Sequence, residues 1–265
     1  MPSGPTPEKP AIYYALLEAL LKQGCPVCRM MQQASLGYLD SLFYEQVTDV
    51  GVRRKLRRAR GLCAAHAWKA REMTTAALGL AIIAKDLLDE ECTRLAALQP
   101  RTLWRRLSHL ARTLIPRQAL RIYLRGWRRR DACPACQAAA AHERHALETV
   151  LIFLDDGEFA GRFEASSGLC VPHVVRALEL NPTHPGVPSL VQTQRRMYGR
   201  LLAELEEFCR KHDYRFTGES WGPESNAWQR AVESLAGKPG MFGEPPRRRE
   251  GRRPGYLQTL FGWWR

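Results

Sequence analysis

Apolar residues recur along this chain at the three- and four-residue spacing of a helix, and nowhere alternate convincingly as in a strand. Ile12, Ala15, Leu16 and Leu20 predict a helix from Ala11 to Lys22. Gly24-Cys25-Pro26 breaks it. Met31, Leu36, Leu39, Leu42 and Phe43 then form the broad apolar face of a second helix, from Cys28 to about Gln46. Asp49, placed before Val52 and Leu56, reads as the N-cap of a short third helix. After Gly61 a long helix is expected from near Cys63 towards Leu98. Its most apolar stretch, Thr74 to Ala84, stops at Lys85 and is too short to span a bilayer. The plan then recurs: a helix from Cys136 to Leu154, Asp156 ahead of Phe159 and Phe163, Gly168, and a helix from about Val171. Here the copies diverge, because Asn181-Pro182-Thr183-His184-Pro185 interrupts the second and a fresh helix runs from about Pro188 to Lys211. The expected fold is all-α, made of internally duplicated helical modules.

The recurrence extends to residues that carry chemistry. Cys25-Pro26-Val27-Cys28 returns as Cys133-Pro134-Ala135-Cys136. Gly61-Leu62-Cys63-Ala64-Ala65-His66 returns as Gly168-Leu169-Cys170-Val171-Pro172-His173. Between the paired motifs lie 34 residues in the first copy and 33 in the second. A Cys-Pro-x-Cys turn at a helix start sets two sulfurs on one side, where outward backbone N–H groups favour thiolate. A Cys and a His three residues apart share one helix face. The helices between them form a hairpin that is expected to close each copy on its own site. Cys25, Cys28, Cys63 and His66 are then one metal site, and Cys133, Cys136, Cys170 and His173 the other. Three thiolates and one imidazole suit tetrahedral zinc with no open position, two ions per chain. The same donors also suit an iron–sulfur cluster in which His replaces one Cys, and spacing does not separate the two.

Buried cysteine and satisfied core histidine is the ordinary reading of a single such residue, but eight donors duplicated in register weigh against it. Dithiol redox chemistry is the third reading; it normally accompanies a βαβ pattern, which is absent. Cys92 and Cys209 read as small core residues, and His142 with His145 as a solvated pair on one helix face. There is no Glu-x-x-His pair, phosphate loop, Gly-x-Ser-x-Gly elbow or acid–base carboxylate pair, so nothing marks a catalytic centre. Met1 to Pro10 is polar and proline-rich, unlike a signal peptide, which points to the cytosol and reduced thiols.

Charge changes the picture of where a partner would bind. The net charge is +13. Residues 101–130 hold ten Arg and no acid, contributing +10; residues 238–265 contribute +5; the rest of the chain is left at −2. The expected organisation is a first module over 10–98, a basic amphipathic linker over 99–131, a second module over 132–237 and a disordered basic tail over 238–265. Arginines with Leu103, Trp104, Leu107, Leu110 and Leu114, then Ile122, Tyr123, Leu124 and Trp127, predict two short amphipathic helices split by Pro116. They suit nucleic acid or an anionic membrane surface; a plain connector with a solvated arginine face is the alternative. The terminal peptide Tyr256 to Arg265 is aromatic and apolar, and suits docking on a protein partner or a membrane interface, or folding back on its own domain.

With His212-Asp213-Tyr214-Arg215-Phe216, Trp221 and a closing helix from Asn226 to Gly237, the duplicated motifs resemble a bacterial family known only as a domain of unknown function. The resemblance covers roughly residues 10–237. It implies two such halves per chain and supplies no activity, substrate or partner; metal binding remains an inference from the donors.

Overall fold

The computed structural model describes residues 8–98, 117–216 and 218–239. Among them the structure is all-helical, with no strand. Eleven α-helices follow in order: α1 (Ala11–Leu20), α2 (Pro26–Tyr44), α3 (Val50–Ala59), α4 (Ala64–Glu72), α5 (Ala77–Ala96), α6 (Arg117–Arg128), α7 (Pro134–Phe153), α8 (Gly157–Ala165), α9 (Val171–Leu180), α10 (Val187–Lys211) and α11 (Ala227–Ala236).

Local chemistry sets the ends of these helices. Pro26 and Pro134 open α2 and α7, where a missing N–H costs nothing. Asp49 accepts from the Val52 N–H at 2.7 Å and Asp156 from the Phe159 N–H at 3.2 Å, so both expected caps form. The long helix expected from Cys63 does not. α4 ends at Glu72, Met73 turns extended (φ −81°, ψ 109°), and a 3-10 turn over Thr74–Ala76 leads into α5. Two consecutive β-branched threonines weaken the helix there, while the burial of Ala76 and the packing of Met73 on the core favour the bend. The unbroken apolar run hid this break. It makes the first copy match the second, where α9 and α10 are likewise separate helices.

α6 ends five residues before Cys133, just as α1 ends five before Cys25. The described part of the basic segment is thus a helix in the α1 position of the second copy. The two helices differ in burial: α1 buries Tyr13, Leu16, Leu17, Ala19 and Leu20, whereas α6 buries none of its residues.

α2 and α7, equivalent helices of the two copies, form the most extensive helix–helix interface. They run antiparallel, as the two cores record. One core joins Val27 and Met30 near the start of α2 to Leu147, Val150 and Leu151 late in α7, with Phe159, Phe163 and Leu190. The other joins Leu39 and Leu42 late in α2 to Cys133 and Ala135 at the start of α7, with Leu56 and Ile83. Both cores therefore mix residues of both copies.

Tyr13 ties α1 to α8. Its ring is fully buried 4.8 Å from that of Phe153, and its hydroxyl donates to Asp156 Oδ1 at 2.9 Å. Burial raises the Asp156 pKa, but the Phe159 N–H, the Tyr13 hydroxyl and the Lys9 ammonium together hold it below its ordinary 3.8. A depressed carboxylate stabilises the fold above its unfolded pKa, and that contribution is lost as the pH falls through the depressed value. Asp156→Ala is expected to cost about 1–2 kcal/mol at neutral pH, the range of a lost N-cap. Urea denaturation measures it, and an unchanged midpoint would remove Asp156 from this role.

Candidate metal centres

The eight cysteine and histidine donors gather into two groups, but not the groups expected from the motif order. Cys25 and Cys28 meet Cys170 and His173, while Cys133 and Cys136 meet Cys63 and His66. Each Cys-Pro-x-Cys pair is completed by the Cys-x-x-His of the other copy. In each group the donor atoms all lie within 4.8 Å of one another.

Helix length explains the exchange. α2 has 19 residues and α3 has 10, so at 1.5 Å per residue the chain travels about 28 Å from the first cysteine pair and returns only about 15 Å. α7 with 20 residues and α8 with 9 repeat the mismatch. α3 alone is therefore too short to bring Cys63 and His66 back to Cys25 and Cys28. Because α7 is antiparallel to α2, Cys133 and Cys136 begin α7 beside the late part of α2, and it is there that Cys63 and His66 meet them.

In the first group, His173 Nδ1 lies 3.3, 3.5 and 3.1 Å from the sulfurs of Cys25, Cys28 and Cys170, and the Cys28 and Cys170 sulfurs are 3.7 Å apart. In the second, His66 Nδ1 lies 3.2, 3.7 and 3.3 Å from the sulfurs of Cys63, Cys133 and Cys136, and the Cys63 and Cys136 sulfurs are 3.6 Å apart. These sulfur separations are far beyond a disulfide bond of about 2.05 Å. All four donors of the first group are buried; in the second, Cys63 and Cys136 are partly exposed.

The left-handed turn at Gly168 (φ 67°) feeds Cys170 into the first group. A Cβ there would stand 2.8 Å from the Gln194 amide, which itself brackets the Leu169 backbone through both its oxygen and its nitrogen. Only glycine fits both the φ and the space.

The donors perturb one another strongly. Hydrogen bonds from Cys133, Cys136 and His66 push the Cys63 thiol far down, and Cys133 and Cys63 push Cys136 far up. Bonds to Cys133 and Cys63 raise His66 to about 9. In the first group, burial raises Cys25, but bonds from Cys170, Cys28 and His173 hold it well below its ordinary value; Cys25 and Cys28 in turn drive Cys170 far up. Three sulfurs this close cannot all be thiolates unless a cation neutralises them. Either group is chemically able to hold a metal ion.

One residue behind the first group went unnoticed in the sequence. Glu143, buried on α7, places Oε1 3.7 Å from His173 Nε2 and Oε2 3.8 Å from Arg176 Nε. Met31 Sδ lies 3.1 Å from the same His173 nitrogen. A carboxylate behind an imidazole orients the ring so that its other nitrogen faces the metal. The signal was a glutamate on the apolar stripe of Ala139, Ala146 and Leu147. The matching positions at the second group are Ser35 and Ala139, which offer no carboxylate.

Other expectations met mixed outcomes. Cys92 and Cys209 are exposed rather than core residues, since they sit on the outward faces of α5 and α10. His142 and His145 are exposed, as a solvated pair should be. A cavity of about 530 Å³, walled by Lys22, Tyr198, Arg200 and Glu233, reaches Cys25 and Cys170. Residues 101–116 and the peptide Tyr256 to Arg265 lie outside the described residues. Among the described residues no helix is long and apolar enough to cross a membrane.

A family model described as "Family of unknown function (DUF6062)" matches residues 15–240. A protein of Caldicellulosiruptor sp. (strain Rt8B.4), titled "Uncharacterized 23.9 kDa protein in xynA 3'region", is 24% identical over 224 residues, covering 84% of this chain and 99% of the relative. No solved structure matches.

Proposed function

The chain belongs to this family of unknown function, and on its own residues we propose that it is a non-catalytic scaffold in which two structural zinc ions tie the two copies together. The observation that carries this is the pair of Cys3His groups, each drawn from both copies. Bonds of about 2.3 Å to sulfur and about 2.05 Å to nitrogen give a tetrahedron with S···S edges of about 3.8 Å and S···N edges of about 3.6 Å. The S···S separations of 3.6 and 3.7 Å sit close to that figure. An iron–sulfur cluster spreads its ligands over several irons and needs wider spacing, so donors within 4.8 Å favour a single ion. Four protein donors leave no position for substrate, the pattern of a structural site. Cysteines kept as thiols fit a cytosolic setting.

Elemental analysis with an anaerobic absorption spectrum tests the reading. The expected result is about two zinc per chain and no visible band. A brown protein containing iron and sulfide would replace zinc with the redox alternative. A metal-free protein whose cysteines all alkylate in the folded state would end both.

The scaffold holds its partner, on this reading, through the peptide Tyr256 to Arg265. Deleting residues 256–265 should leave the melting temperature and metal content unchanged. A clear fall in melting temperature would mean that the peptide packs on its own domain instead.

A further inference from the structure

We propose that the outward arginine face of α6 binds the phosphate backbone of nucleic acid. Arg117, Arg121, Arg125 and Arg128 recur at spacings of four, four and three residues, which stacks them on one side of the helix at about 6 Å per four-residue step. All four are exposed, and among the described residues none forms an ion pair. Several arginines elsewhere are paired: Arg57 with Asp86, Arg94 with Glu90, Arg196 with Glu164, Arg230 with Glu204. A row of uncompensated arginines on a helix calls for an external polyanion.

The opposite side of α6 decides which polyanion. Tyr123 and Trp127 lie on that side and fasten it to the body of the protein, while Leu120 and Leu124 beside them stay exposed. The Tyr123 hydroxyl donates to Glu91 on α5. The Arg60 guanidinium, just past α3, lies 5.1 Å from the Tyr123 ring centre and 5.3 Å from that of Trp127. A helix that binds a membrane turns its apolar face into the lipid and holds its charges above it. Here the Tyr123 and Trp127 side is held against Glu91 and Arg60 while the arginines point outward, which suits a hydrophilic phosphate chain. The Asp131 N–H donates to the Arg58 carbonyl at 3.1 Å, so the end of α3 abuts the chain just past α6.

The inference adds a partner to the scaffold reading and does not depend on which metal fills the sites. The test uses the full-length, metal-loaded protein and fluorescein-labelled DNA and RNA duplexes, read by anisotropy over a salt series. Wild-type affinity should fall steeply with salt. The variant Arg117→Gln, Arg121→Gln, Arg125→Gln, Arg128→Gln should bind at least tenfold more weakly at low salt. The slope of log K against log salt should shrink by about 0.9 for each phosphate that an arginine no longer neutralises, about 3.6 in all. The matching four-lysine variant should keep most of the binding, since holding a phosphate backbone needs charge more than geometry. Unchanged metal content and circular dichroism in the glutamine variant separate a neutralised binding face from a damaged fold. An undiminished slope in the glutamine variant overturns the proposal, as does a wild-type protein that binds neither duplex at low salt. Binding to phosphatidylserine vesicles but to neither duplex would assign the face to membranes instead.

Discussion

Replacing Cys28 and Cys170 together with serine is expected to leave one metal ion per chain, whereas replacing Cys28 and Cys63 together is expected to leave none. The first pair belongs to one group of donors and the second pair is split between two. If each copy closed its own site, the outcomes would be reversed. Elemental analysis of the two purified double variants, quantified against protein concentration, separates the arrangements by a whole ion. The energetics should follow the stoichiometry. In the Cys28 and Cys170 pair, either single change already spoils the same site, so the second should cost little more. In the Cys28 and Cys63 pair, two distant sites are lost and the costs should add. Equal metal content in the two variants would defeat the exchanged arrangement.

Stripping the metal should unfold most of the molecule rather than loosen a loop. Structural zinc sites in small domains contribute about 10–16 kcal/mol apiece, against a net stability of about 5–15 kcal/mol for a whole domain. Each group here clamps the start of one long helix to the start of a helix from the other copy, and both cores run between them. Losing even about 5 kcal/mol would lower the melting temperature by about 10 °C or more. Strong chelation should therefore give a broad, low transition by circular dichroism, reversed by adding zinc. The two sites should not yield together. Cys63 and Cys136 are partly exposed, while Cys25, Cys28, Cys170 and His173 are buried and His173 has the Glu143 carboxylate behind it. The second group should thus lose its ion first, seen as one fast and one slow equivalent when a chromogenic chelator is added to the native protein. A melting temperature unmoved by complete chelation would show that the ions are not part of the fold.

The donors themselves were legible in the chain, because metal chemistry constrains residue type and short spacing: Cys-Pro-x-Cys and Cys-x-x-His each act within a single helical turn. The helices were legible too, with Asp49 and Asp156 capping as read, since periodicity and capping are local. The break at Met73 was not, because Thr74 to Ala84 reads as one unbroken apolar run, although Leu78 and Ile82 within it are exposed. Cys92 and Cys209 were misplaced because a cysteine in sequence does not declare which face of its helix turns outward.

What the sequence alone determined is a set of eight donors on an all-helical, duplicated chain, together with an arginine-rich segment between the copies. Which donors meet was decided by the tertiary structure. Local pattern contains no record that α2 and α7 pack antiparallel, or that helices of 19 and 10 residues carry Cys63 away from Cys28 rather than back to it. Tertiary packing likewise set Tyr123 and Trp127 of α6 against Arg60 and Glu91 and left its arginines outside. Spacing along the chain limits what neighbours in sequence can do, but donors 142 residues apart, such as Cys28 and Cys170, are brought to 3.7 Å only by the burial of two shared cores.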